Sequence, residues 1–68
     1  MKQPKAGDHV RWDTSQGETS GTVMRKLTRE TRIKGHVARP TPEEPQFLVK
    51  SDRTGAEAAH KPGELKKG

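Results

Sequence analysis

What most constrains the fold is the placement of the chain's one dense apolar run, Phe47-Leu48-Val49, with Pro45 before it and Ser51-Asp52-Arg53-Thr54-Gly55 after it. A short apolar run bounded by proline on one side and an Asp/Gly turn on the other reads as one arm of a β-hairpin, with residues 56–61 folding back as the other arm. Alternate side chains of a strand reach opposite faces. Phe47 and Val49 are therefore expected in the core, and Leu48 at a rim or on the far side.

Little else in the chain can be buried. Only 25% of the 68 residues are hydrophobic and 3% aromatic. The large apolar side chains beyond the run are Val10, Trp12, Val23, Met24, Leu27, Ile33, Val37 and Leu65. So short a chain buries about 60% of its unfolded surface, which allows one domain with a thin core. Low hydrophobicity with 34% charged residues also fits a disordered chain. Against that stands the grouping of the apolar residues into short β-rich pieces.

Taken in order, residues 1–6 read as a flexible arm and Gly7-Asp8 as a turn. Val10 and Trp12 alternate with polar residues and share one face of a half-buried strand. Residues 14–21 hold no large apolar side chain and two glycines, so they read as a surface loop. In residues 22–28 a strand puts Val23 and Leu27 on one side, the stem of Arg25 between them and Met24 on the opposite side. A helix competes, since Val23 and Leu27 are four apart, but Thr22 and Thr28 favour the strand.

Residues 31–37 alternate again, with Ile33 and Val37 inward and Gly35 leaving room for a neighbour such as Trp12. Pro40, Pro42 and Pro45 exclude a central strand and make residues 38–45 a stiff, exposed connection. The alanines of residues 56–61 carry helix propensity, yet the turn before them and Pro62-Gly63 after them favour a short closing strand. Residues 62–65 read as a 3₁₀ turn that plugs Leu65 into an open end. Residues 67–68 read as a tail.

Five short strands around one core suggest an all-β, small, strongly bent barrel spanning residues 7–66, because closure removes exposed edges. The expected core is Val10, Trp12, Val23, Leu27, Ile33, Val37, Phe47, Val49 and Leu65.

Several stretches together carry a resemblance: Gly7-Asp8-His9-Val10-Arg11-Trp12, Gly21-Thr22-Val23, Thr31-Arg32-Ile33-Lys34-Gly35-His36, the run from Pro45 to Gly55, and Ala58-Ala59-His60-Lys61-Pro62 with Leu65. From Gly7 onward the chain resembles the hypervirulence-associated protein Tudor-like domain family. That resemblance implies a five-stranded SH3-like, Tudor-type barrel and brings no established biochemical activity with it. It also implies that His60 is hydrogen-bonded within the barrel. A methyl-lysine reader needs several rings around a cation, and this chain has one Trp, one Phe and no Tyr.

Catalysis is not expected. His9, His36 and His60 lie on separate segments without metal-ligand spacing, and cysteine is absent, which removes thiolate ligands and thiol nucleophiles. Glu18 or Asp52 could reach a histidine only through the fold. No glycine-rich phosphate loop is present, and no cofactor is expected. The basic start, Met1 to Gly7, leads into no apolar segment, and no span approaches membrane length. With no cysteine to suggest an oxidising compartment, a soluble cytoplasmic protein is the expectation.

Two binding readings follow. One is a protein-interaction or self-assembling module that uses an apolar strip of Met24, Leu48, Pro40, Pro42 and Pro45, or an exposed strand edge. The alternative is sequence-independent nucleic-acid binding through a basic hairpin carrying Arg25, Lys26, Arg29, Arg32 and Lys34, suggested by the net charge of +5.

Overall fold

The computed structural model describes residues 3–33 and 35–67. In chain order the elements are β1 (His9–Thr14), β2 (Gly17–Leu27), β3 (Thr31–Ile33), β4 (His36–Ala38), β5 (Gln46–Ser51), β6 (Glu57–His60), a 3₁₀ turn (Pro62–Glu64) and β7 (Lys66–Lys67). All pairings are antiparallel. Five strands form one sheet in the order β6-β5-β2-β1-β7, and β3 and β4 form a separate two-stranded ribbon.

Neither sheet closes, so the expected SH3-like barrel is corrected to an open five-stranded sheet with a ribbon beside it. The reason lies at Gly35. Residues 31–37 were expected as one strand, but Gly35 sits at a φ of 86°, where only glycine is unstrained. The chain turns back there and pairs with itself, Arg32 with Val37 and Ile33 with His36. This short hairpin uses the residues that would otherwise have bridged the two ends of a barrel.

The same turn corrects Val37. In one continuous strand Ile33 and Val37 share a face; in the ribbon Val37 shares its face with Arg32, and it is 46% exposed. It does not belong to the core.

The expected loop at residues 14–21 is corrected too. β2 begins at Gly17 and pairs with β1 as far as His9 and Thr22. Gly17 at a φ of 111° makes the tight turn, and the Thr14 hydroxyl donates to the Gly17 carbonyl at 2.7 Å. The ladder satisfies backbone groups whatever the side chains are, so a polar stretch becomes a strand. At the other edge, Lys66 pairs with Arg11 and Lys67 with Val10, which brings Lys67 into the sheet.

One face of the sheet carries the main core: Val10, Trp12, Val23, Phe47 and Val49, all buried, with Leu65 packed against them. Each such side chain contributes about 1.5–3 kcal/mol by leaving water. A second cluster, Leu27, Ile33 and Leu48 with Ala59 beside it, lies on the opposite face. It exists because of a β-bulge in β2. Val23 pairs with Val49 and Arg25 with Leu48, so Met24 is an extra residue. An inserted residue reverses the alternation beyond it, and Leu27 emerges on the face of Leu48 instead of that of Val23. The ribbon then packs its Ile33 onto this second patch.

Candidate interaction surface

The open junction between ribbon and sheet defines the site. β6 is the terminal strand of the large sheet, and β4 is half of a two-stranded one. A cleft of about 350 Å³ runs between them, with β4 and Arg39 on one wall, Glu57, Ala58 and Ala59 on the other, and Ile33 and Gln46 as its floor. A second cleft of about 400 Å³ opens on the other side of Ile33, bordered by Met24, Arg25, Arg32 and Leu48. Glu57 reaches both. Among the described residues, no backbone hydrogen bond outside the strand ladders engages β4 or β6.

The two edges of the large sheet are unequally protected. β7 is two residues long and both are lysine; short, lysine-bearing edges resist further pairing. β6 reads Glu-Ala-Ala-His and carries neither lysine nor proline. Its alanines keep the cleft open.

The expected apolar strip does not assemble at the surface. Leu48 is buried at 8% exposure beneath the ribbon, and Pro40 and Pro45 are buried as well. Met24, 45% exposed as the bulge residue, and the exposed Pro42 are what remain of it. Val37, Gln46, Ala58 and Ala59 are cleft residues that sequence reasoning did not select. Gly35 was the available signal: read as a turn, it would have set Val37 outside and left β6 without a second hydrogen-bonded neighbour.

Of the basic hairpin, Arg25 and Arg32 border the second cleft. Lys26 pairs with Phe47 and so points to the other face of the sheet, at its exposed end. Arg29 lies on the β2–β3 connection, and Lys34 lies outside the described residues. None of Arg25, Lys26, Arg29 and Arg32 has an acidic partner among the described residues. Arg39 pairs with Glu30 at 3.9 Å, with both side chains well exposed.

The β1 end is different. Arg11 Nη1 donates to Glu18 Oε1 at 3.3 Å, Lys66 Nζ lies 3.7 Å from Glu18 Oε2 and 3.9 Å from Asp13 Oδ2, and His9 Nε2 lies 2.8 Å from Asp52 Oδ2. The fold thus unites His9 and Asp52, 43 positions apart. His60 Nδ1 sits 3.2 Å from Glu64 Oε1, and its ring lies 5.4 Å from the Trp12 ring at a tilt of 39°. Glu64 Oε1 also accepts from the Lys61 backbone N–H at 3.1 Å. That hydrogen bond, more than its burial or the neighbouring His60, sets the Glu64 carboxyl below its usual range.

Among the described residues no three His, Asp or Glu side chains converge as metal ligands. Trp12 and Phe47 are both in the core, so no Trp, Tyr or Phe ring is left to cage a methylated cation. Over residues 7–65, nearly its whole length, the sequence matches the family described as hypervirulence associated proteins TUDOR domain. No curated protein and no solved structure matches the chain. It is a small domain, and it belongs to the Tudor-domain family of hypervirulence-associated proteins.

Proposed function

We propose that the domain is a protein-interaction module that accepts an extended segment of a partner at the open junction between its sheet and its ribbon. The observation that carries this reading is that β6 and β4, each ending its own sheet, face one cleft. A peptide added along β6 would gain ladder hydrogen bonds for affinity, while the cleft floor would select alternate side chains. The added segment would lie along β6 beside β4, where ribbon and sheet have not paired.

Selection from a library of short extended peptides tests this, with binders mapped by amide chemical shift and hydrogen exchange on the labelled protein. New protection at Glu57–His60 and His36–Ala38 supports strand addition. Binders that protect other regions, or a library that yields none, overturn it. Protection of the same amides that rises with protein concentration, in the absence of peptide, would make the added strand a second copy.

The second reading, phosphate binding, is favoured by the unpartnered cations. It is weaker on geometry, because Arg25 and Lys26 project to opposite faces of β2 and no aromatic ring is exposed for stacking. Affinity for a short DNA duplex that falls steeply with salt would support it; absence of binding at low salt would end it.

A further inference from the structure

We infer that the segment taken up at the junction is acidic and carries Asp or Glu together with small apolar residues. This rests on the strand-addition reading and adds the chemistry of the partner. The cations bordering the two clefts are arginines, Arg25 and Arg32 on one side and Arg39 on the other, with Arg29 on the nearby connection. Among the acids near them, Glu57 reaches both clefts and Glu30 pairs with Arg39 at 3.9 Å. An exposed ion pair of that length contributes little, so Arg39 can exchange Glu30 for an incoming carboxylate at little cost.

The contrast with the β1 end sharpens the point. There Arg11, Lys66 and His9 all face acids of the same chain. Lys5, Lys50, Arg53, Lys61 and Lys67 also lack an acidic partner among the described residues, and what distinguishes the clefts is that two such arginines, Arg25 and Arg32, border one cleft with an apolar floor. Guanidinium groups present paired donors that match a carboxylate.

The floor adds the second requirement. Ile33 and Ala59 lie beneath the clefts and Val37 at the side of one. A strand laid along β6 turns every other side chain toward this floor, where space between strands admits a small apolar group. Arg25 shares the face of Leu48 and Ala59, so the side chains turned to this floor meet both the apolar patch and a guanidinium.

The test uses the labelled protein and three probes: a capped hexapeptide of Asp and Val with both residue types on each face, the same peptide with Asn for Asp, and a short mixed-sequence DNA duplex. The acidic peptide is expected to shift the amides of Ile33, Val37, Ala58 and Ala59. Its affinity should fall at least about tenfold, the scale of one lost charge-assisted hydrogen bond, for the Asn peptide and for the Arg25→Gln/Arg32→Gln protein. Equal binding of the Asp and Asn peptides overturns the acidic inference and leaves strand addition standing. Binding of neither peptide overturns both. Duplex binding that shifts Arg25 and Arg32, with no acidic-peptide binding, assigns these arginines to phosphate instead. The spectrum of the double variant reports whether it is folded, and Arg32→Gln alone serves if it is not.

Discussion

Trp12 and Gly21 share a single space: a β-carbon on Gly21 would lie 2.7 Å from Cη2 of the indole and 2.0 Å from the carbonyl oxygen of Lys50. Gly21 is buried between β1 and β5, cross-strand from Val10 on one side and from Ser51 on the other. The glycine is there because a backbone and an indole both pass through the place where a side chain would begin. Gly21→Ala must displace a ladder carbonyl or the central aromatic residue of the core. We expect a loss of about 3 kcal/mol, at the upper end of ordinary overpacking, in a domain whose total stability is small. Urea unfolding checks it against Gly63→Ala, where an added β-carbon meets nothing within 4 Å. Equal midpoints for the two variants would show that the sheet adjusts freely around Gly21.

A second prediction concerns the two-sided burial of β5. Leu27→Ala and Leu48→Ala should each cost about 2–4 kcal/mol, the range for truncating a buried leucine. Because the two side chains share one cluster, the double variant should cost less than the sum of the single ones. Met24→Ser and Val37→Thr, at exposed positions, should stay within about 0.5 kcal/mol. If Leu48→Ala behaved like Met24→Ser, the ribbon would not be packed on the sheet in solution.

These residues also show what was legible in the sequence. Period-two alternation located Val10, Trp12, Phe47 and Val49 in the core, because a ladder without interruption keeps its phase. It also placed Leu27 in the core, where it is buried, but on the face of Val23, since the Met24 bulge has no composition signature and inverts every later face assignment in β2. It failed at Val37, since a glycine on the inward phase reads equally as a gap filler and as a turn, and only its positive φ decides between them. The indole expected near Gly35 packs on Gly21 instead. Closure depends on where the last strand edge ends up, which is a long-range property that local pattern does not carry. The clefts were invisible for the same reason: they exist between elements far apart in sequence.

The acid side of the stability profile should depend on Glu64. Its carboxylate accepts the Lys61 N–H, which holds the carboxyl of the folded protein below its ordinary range. A group depressed on folding contributes stability above its unfolded pKa, and that contribution disappears as pH falls through the folded value. Glu64→Gln should therefore flatten the fall in melting temperature below about pH 4.5 and lower the plateau near neutrality slightly, since the side chain is 58% exposed. Parallel melting curves for the two proteins from neutral pH into the acid range would show that the Lys61 hydrogen bond does not hold the 3₁₀ turn in solution.

The last prediction separates binding charge from structural charge. Arg25 and Arg32 have no acidic partner among the described residues, and the chain carries a net charge of +5. Removing cations from such a surface relieves self-repulsion and breaks no pair. Arg25→Gln/Arg32→Gln should therefore leave unfolding stability within about 0.5 kcal/mol, with any gain confined to low salt, where repulsion is least screened. Arg11→Gln should behave oppositely. It takes a cation from Glu18, so it should lose up to about 1 kcal/mol at low salt and less as salt rises. Urea titrations of the three proteins at two ionic strengths make the comparison. A loss above about 1 kcal/mol for the Arg25/Arg32 variant would mean that these side chains hold the fold. The positive charge at the clefts would then be committed internally, and the case for an acidic partner would lose its foundation.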